Sequence, residues 1–179
     1  MIVDPLYNYP QKDYITSHYK PFLKALLNGN IFRFNKTNQH LINIFTKELL
    51  DKAEYIKQHL PGKGVSYEER FKLADEILEK YSKAKLVITS RIHCALPCLA
   101  MGTPVIYVNG FDSFADTCRF EGILDLFNRV DVDSNTGVFS ANFEFDGDKI
   151  SESVKIVNKE NYLELANALK NTCKNFVNS

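Results

Sequence analysis

Two short apolar segments constrain the fold of this chain more than any other feature. Lys85–Thr89 and Val105–Asn109 are rich in β-branched residues and show no alternation of apolar and polar positions. Strands of this kind are typical of a parallel sheet that is covered on both faces. Helical patterns alternate with these strands along the chain, which indicates βαβ units. The sequence therefore predicts an α/β domain with a Rossmann-like parallel sheet flanked by helices.

Helices and further strands are predicted around these two segments. Ser66 and Glu69 form a capping box, and apolar residues at three- and four-residue spacing continue to Ser82 or Lys83, where this helix should end. The other predicted elements are strand Met1–Leu6, helix Tyr19–Leu27, strand Ile31–Phe34, helix Asn38–Lys52, strand Ala53–His59, helix Phe120–Asn128, strand Arg129–Val132 and helix Asn161–Val177.

The length of 179 residues fits a single domain with a sizeable core. We expect an irregular N-terminal part (1–36), an α/β core (37–132), a variable and turn-rich loop region (133–160) and a C-terminal helix (161–179). Apolar residues recur on one face of that last helix, so we expect it to pack back on the domain.

Composition excludes several classes of function. Lysine plus arginine and aspartate plus glutamate are both 22, which argues against a general binder of nucleic acid or of membrane surfaces. No apolar run reaches the roughly 20 residues of a membrane span, and the N-terminus lacks a signal-peptide pattern, so we expect a cytoplasmic protein. The four cysteines lack the CxxC pairs of a zinc ribbon, so we expect reduced thiols and no metal site.

The polar residues after the first apolar strand are the candidate functional site. We call Ser90–His93 the SRIH segment after its sequence. Backbone N–H groups at a helix start carry about half a positive charge, Arg91 adds a full one, and His93 can donate or carry a proton. Because open α/β sheets bind ligands at the carboxyl ends of their strands, we predict a site for a phosphate or carboxylate here. The residues alone also fit a purely structural role, in which Arg91 pairs with a neighbouring acid and His93 is a hydrogen-bonded interior histidine.

The start of the helix after this segment depends on Pro97. A proline deep inside a helix costs about 3 kcal/mol, whereas in the first turn it costs little. We therefore expect the helix to begin near Cys94 or Ala95, with the SRIH segment in the loop before it. Gly102 should supply the left-handed residue after the helix, and Pro104 should prevent its continuation.

These residues resemble a known family. The run ITSRIHCALPCLAMGTPVIYV is similar to the C-terminal signature of the polysaccharide pyruvyl transferases, and the resemblance extends from about Glu54 to Phe127. It implies a glycosyltransferase-B-like fold of two Rossmann-like halves. It also implies transfer of pyruvate from phosphoenolpyruvate to a sugar of a cell-surface glycan, as a ketal.

The resemblance also implies roles for individual residues. The family's motif histidine matches His93, which is the candidate catalytic residue for binding phosphoenolpyruvate or moving a proton. The substrate-binding candidates are Arg91, which matches the motif arginine, and its neighbours in the motif, which are Thr89, Ser90, Cys94 and Ala95. Phosphoenolpyruvate is the donor substrate and a glycan the acceptor, and no cofactor is implied.

Two alternatives remain open at the level of sequence. A nucleotide-sugar glycosyltransferase half would share the fold, but it should place an acidic residue on the helix where this chain has Cys98 and Leu99. A non-catalytic ligand-binding domain would retain the motif for structural reasons. The chain resembles only the second half of the longer family members, so the rest of the site is expected from a further half or from a homo-oligomer.

Overall fold

The computed structural model describes residues 1–3, 27, 41–56, 58, 64–110, 120–133 and 136–178. Its strands are β1 (Ile2–Val3), β2 (Tyr55–Ile56), β3 (Val87–Thr89), β4 (Val105–Asn109), β5 (Asn128–Val132) and β6 (Phe139–Ala141). Its helices are α1 (Lys47–Lys52), α2 (Tyr67–Lys83), α3 (Ile92–Ala100) and α4 (Tyr162–Val177), with a 3₁₀ turn at Leu124–Leu126. Residues 41–44 are also helical.

The six strands form one sheet in the order β2-β1-β3-β4-β5-β6. The first five strands are parallel, and β6 is antiparallel to β5. The order reverses direction at β1, because the chain first adds β2 on one side and then returns to add β3 on the other. A topological switch point therefore lies between the carboxyl ends of β1 and β3, where open α/β sheets bind their ligands.

Apolar residues bury both faces of this sheet. One face packs against residues 41–44, α1 and Ile150, and its strand residues include Ile88, Ile106 and Val130. The other face packs against α2 and α3, and its strand residues include Val87 and Val105. Consecutive strand residues alternate between the two clusters, as the pleat requires. The prediction of an α/β domain with a Rossmann-like sheet between helices is confirmed.

Helix α2 follows the sequence prediction at both ends. The Ser66 hydroxyl accepts a hydrogen bond from the Glu69 N–H at 3.2 Å, and the Glu69 carboxylate accepts one from the Ser66 N–H at 2.9 Å. Both halves of the predicted capping box are therefore present. The helix ends at Lys83, and the next strand, β3, starts four residues later.

The prediction of one continuous helix over Asn38–Lys52 is wrong in the middle, where Phe45 and Thr46 separate helical residues 41–44 from α1. The chain leaves the helical conformation at Thr46, whose ψ of 153° is extended and whose hydroxyl caps α1. The cause is a tertiary contact: Phe45 forms a parallel bridge with Ile150, and the Thr46 N–H donates to the Ile150 carbonyl at 3.0 Å. Apolar spacing alone does not reveal such an insertion.

Two further predictions are corrected between residues 120 and 145. The segment Phe120–Asn128 is not an α-helix, because Gly122 takes a left-handed φ of 78°, only a 3₁₀ turn forms, and Asn128 already belongs to β5. Strand β6 lies inside the region predicted to be a loop. Its signal is the alternation of Phe139, Ala141, Phe143 and Phe145, which pack against the core.

Helix α4 forms where predicted, but it does not pack back on the rest of the described chain. None of its residues is buried, and Leu165, Leu169 and Phe176 are 61%, 66% and 82% exposed. Only Tyr162, at its start, packs against the core. No described helix has the length and hydropathy to cross a membrane.

Several predictions lie outside the described residues. They concern helix Tyr19–Leu27 apart from Leu27, strand Ile31–Phe34 and most of strand Met1–Leu6. The division of the chain at residues 36, 132 and 160 also stays a prediction.

Candidate active site

The SRIH segment leaves the sheet at the topological switch point. Val3 of β1 pairs with Thr89 of β3, so these two strands end at the same level and Ser90 follows directly. Thr89 also pairs with Tyr107 of β4 on its other side. The segment therefore begins in the crevice that the fold provides for a ligand.

Helix α3 begins earlier than predicted. Arg91 is its N-cap with an extended ψ of 122°, Ile92 is the first helical residue, and His93 lies in the first turn, not in the loop before it. The Arg91 carbonyl accepts from the Cys94 N–H at 3.1 Å and from the Ala95 N–H at 3.0 Å, which closes the first turn. The expected start near Cys94 or Ala95 is therefore wrong.

Packing explains why Pro97 is tolerated inside α3. Proline at this position removes one backbone hydrogen bond, the one that would end on the His93 carbonyl. In exchange, the helix buries four side chains against the sheet, each at most 2% exposed: Cys94, Ala95, Cys98 and Leu99. Burial of a large apolar side chain such as Leu contributes about 1.5–3 kcal/mol, so together these outweigh one lost hydrogen bond.

The end of α3 confirms the sequence prediction. Gly102 has a left-handed φ of 77°. Its N–H donates to the Leu99 carbonyl at 3.1 Å, and the Thr103 N–H donates to the Cys98 carbonyl at 2.9 Å. These two bonds form a Schellman motif, after which Pro104 leads into β4.

The predicted site residues divide into exposed and buried groups. Arg91 and His93 are exposed and Ser90 is half-buried, whereas Thr89, Cys94 and Ala95 are fully buried. The Cys94 and Ala95 amides are already bonded to Arg91. Within the described residues the free amides at this helix start are those of Ile92 and His93, and no side chain caps them. A ligand at this surface would thus meet one guanidinium, one imidazole and two N–H donors.

A buried polar network lies beneath the SRIH segment. The Thr89 hydroxyl accepts from the Arg91 N–H at 3.1 Å, and the Tyr81 hydroxyl accepts from the Gln58 amide at 2.8 Å. Hydrogen bonding from the Cys98 thiol lowers the pKa of Cys94, with smaller help from the Tyr81 and Thr89 hydroxyls and against the effect of burial. Burial, and then the Cys94 thiol, raise the pKa of Tyr81. The bond to Cys94, together with burial, raises the pKa of Cys98.

A second polar cluster, which the sequence did not predict, lies at the same edge of the sheet. The Asp131 carboxylate accepts from the Asn109 amide at 2.7 Å and from the Arg129 Nε at 2.8 Å. All three side chains face the α3 side of the sheet, since Val108, Val130 and Val132 face the other. The signal in the sequence is the alternation of polar and valine residues in β5.

A cleft of about 790 Å³ lies at the opposite, amino edge of the sheet, away from the SRIH segment. Its floor includes Ile2 and Ile88. Three of its lysines are engaged in exposed ion pairs: Lys52 with Glu152 at 2.9 Å, Lys80 with Glu54 at 3.1 Å, and Lys83 with Glu79. Within the described residues, no three His, Cys, Asp or Glu side chains are grouped to hold a metal ion.

Fold and site together define an α/β protein of the class that binds ligands at a topological switch point. Comparison with known families is more specific: the model of the polysaccharide pyruvyl transferase family matches residues 3–113. This range is more than half of the chain, so the chain belongs to that family and is a transferase. The match begins at Val3, the last residue of β1, includes the whole of α3 and ends before the FEGILDLF segment. No curated protein and no solved structure gives a significant match.

Proposed function

We propose that this chain transfers pyruvate from phosphoenolpyruvate to a sugar of a cell-surface glycan in the cytoplasm, forming a ketal and releasing phosphate. The observation that supports this proposal is the exposed start of α3. Arg91, His93 and two amides that have no partner among the described residues lie together at the switch point of the sheet. Phosphoenolpyruvate carries a phosphate and a carboxylate, and both are suited to a guanidinium and to helix-start amides.

In this proposal each group has a separate task. Arg91 and the amides of Ile92 and His93 hold the anionic donor. Ketal formation makes two bonds from the enol carbon to sugar oxygens and breaks its bond to the phosphate oxygen. Of the two protons that the sugar hydroxyls lose, one is added to the methylene carbon and the other leaves with the phosphate. The His93 imidazole, which is exposed and has no hydrogen-bond or ion-pair partner among the described residues, serves as a proton carrier in one of these transfers.

The acceptor sugar needs further groups, which we propose come from a second Rossmann-like half or from another protomer. In the described part of the chain the SRIH segment lies on an open rim of the sheet and Arg91 and His93 are exposed. Catalysis of this kind requires that water be excluded when the donor is activated. A facing domain, as in a glycosyltransferase-B-like arrangement, would supply both the enclosure and the acceptor contacts.

A nucleotide-sugar transferase is disfavoured by α3 itself. The helix has no Asp or Glu that would hold a ribose, and Cys98 and Leu99, which occupy the expected position, are buried. Titration with a nucleotide sugar and with phosphoenolpyruvate separates the two functions. Binding of neither compound would favour a non-catalytic domain.

The experiment measures phosphoenolpyruvate binding by calorimetry and phosphate release in the presence of a panel of hexosides as acceptors. Arg91→Gln should weaken binding by about tenfold or more, since one charge-assisted contact contributes about 1.5–3 kcal/mol. Lys83→Gln is the charge-matched control, because Lys83 is exposed at the amino edge and pairs only with Glu79 among the described residues. Equal affinity in the two variants would contradict the assignment of Arg91.

The role of His93 is tested by two substitutions. His93→Ala removes the imidazole. His93→Gln keeps a side chain that forms hydrogen bonds but neither takes up nor releases a proton at neutral pH. If His93 moves a proton, both variants should lose about 10²–10⁴-fold in the rate of phosphate release. If it only binds the donor, the glutamine variant should retain most of the rate. Wild-type turnover in both variants would remove His93 from the reaction.

A further inference from the structure

Thr89 lies directly under the SRIH segment and is completely buried. It is the last residue of β3, and its hydroxyl accepts a hydrogen bond from the Arg91 N–H at 3.1 Å. A bond of this kind, in which the amide two residues later donates to a threonine hydroxyl oxygen, fixes a local turn of the backbone. Here it spans the bend at Ser90, after which Arg91 is extended and α3 begins.

The hydroxyl of Thr89 is itself oriented from below. Hydrogen bonding from the Thr89 hydroxyl, like that from the Tyr81 hydroxyl, helps to lower the pKa of the Cys94 thiol. Tyr81 is 1% exposed and is held in turn by the Gln58 amide at 2.8 Å. The Thr89 oxygen therefore accepts from Arg91 on one side and can donate to Cys94 on the other, which links the bend to the first turn of α3.

We propose that Thr89 is a positioning residue for the anion site, one that sets the path of the backbone from which Arg91 and His93 extend toward the ligand. The inference rests on the proposed function for the identity of the ligand. Its side chain does not reach a ligand directly, because it has no exposed surface. It acts through the Arg91 amide, and through Cys94 on the helix that carries His93.

The chain offers a matched control for this inference. Thr103 is also a buried threonine, 4% exposed, but its hydroxyl has no hydrogen-bond partner among the described residues. Substitution by valine keeps the size and the branched shape at both positions. Thr89→Val removes the bond to the Arg91 amide, whereas Thr103→Val removes a hydroxyl that bonds to nothing in the described structure. Thr89→Ser restores the hydroxyl and completes the set.

The first measurement needs no ligand. Amide hydrogen exchange, followed by NMR, reports whether the Arg91 N–H is held. Thr89→Val should speed exchange of this amide by about three- to tenfold, the equivalent of one neutral hydrogen bond. Thr89→Ser and Thr103→Val should leave it at the wild-type rate. Unchanged exchange in Thr89→Val would overturn the positioning role, and if the valine variant fails to fold, Thr89→Ala tests the same loss.

The second measurement is the dissociation constant for phosphoenolpyruvate, by calorimetry on the same four proteins. Thr89→Val should weaken binding by about three- to tenfold, with Thr89→Ser and Thr103→Val near wild type. If the wild type binds phosphoenolpyruvate and Thr89→Val binds it equally well, the positioning role is refuted. If the wild type does not bind it, the proposed function fails, and the exchange experiment alone decides whether Thr89 holds Arg91.

Discussion

Gly110, at the carboxyl end of β4, provides the sharpest test of the packing at this edge of the sheet. Its φ is 101°, and a Cβ built on it would overlap the backbone carbonyl oxygen of Val132 and lie 3.0 Å from the carbonyl carbon. That oxygen belongs to β5 and moves only if the strand moves. Gly102 has a similar φ of 77°, but a Cβ there would meet nothing within 4 Å. The two glycines thus separate the cost of the backbone conformation from the cost of the clash.

The expected magnitudes follow from this contrast. Gly102→Ala should lower the free energy of unfolding by about 1 kcal/mol, because the left-handed cost of roughly 1–2 kcal/mol is partly offset by a less flexible unfolded chain. Gly110→Ala should lower it by about 3 kcal/mol or more, since the end of the β4–β5 ladder must separate. In urea, with a slope of about 2 kcal/mol per molar, the unfolding midpoint should fall by about 0.5 M for Gly102→Ala. For Gly110→Ala it should fall by at least about 1.5 M.

Asparagine variants identify which cost dominates. Asparagine tolerates the left-handed region better than alanine but still carries a Cβ. Gly102→Asn should therefore be more stable than Gly102→Ala, while Gly110→Asn should be as damaging as Gly110→Ala. Circular dichroism at increasing urea concentration measures all four variants. Similar midpoints for Gly102→Ala and Gly110→Ala would refute the argument from the Val132 carbonyl.

Two further predictions concern α2. Ser66→Ala should lower the free energy of unfolding by about 1 kcal/mol through loss of the N-cap, measured in the same urea assay, and an unchanged midpoint would contradict the capping box. Burial raises the pKa of Tyr81 above its ordinary value of 10.0, so the native state holds this proton where the unfolded state releases it. Stability should therefore fall as the pH rises above 10, and Tyr81→Phe should reduce that slope in urea titrations between pH 9 and 11; an identical slope would contradict it.

The sequence predicts best where a local signal and the tertiary structure agree. Ser66 and Glu69 satisfy each other within one turn, and Gly102 forms its motif with residues three to five positions away. The apolar strand around Ile88 is predictable because any α/β arrangement covers such a strand on both faces. The capping box and the motif at Gly102 depend on no distant contact, and the apolar strand needs distant residues only to pair with it and cover it.

The errors arise where distant residues decide the local conformation. The break at Thr46 depends on Ile150, more than a hundred positions away, and no spacing within residues 38–52 records it. Strand β6 lies in an alternation of apolar residues that starts at Phe139, but the polar residues between them are typical of a loop. Helix α4 is a different case. Its sequence correctly predicts a helix with an apolar face, but that face is exposed in the described structure.

The early start of α3 changes which groups form the proposed anion site. A helix beginning at Cys94 or Ala95 would have offered the amides of those residues, and its flanking loop would have carried the arginine and histidine. In the structure both amides bond to the Arg91 carbonyl, and the donors without a partner in the described part of the chain belong to Ile92 and His93. The arginine is the N-cap itself, so its backbone conformation sets where the helix, the free amides and the imidazole lie. This is why we propose that the bond from the Arg91 N–H to buried Thr89 affects ligand binding as well as folding.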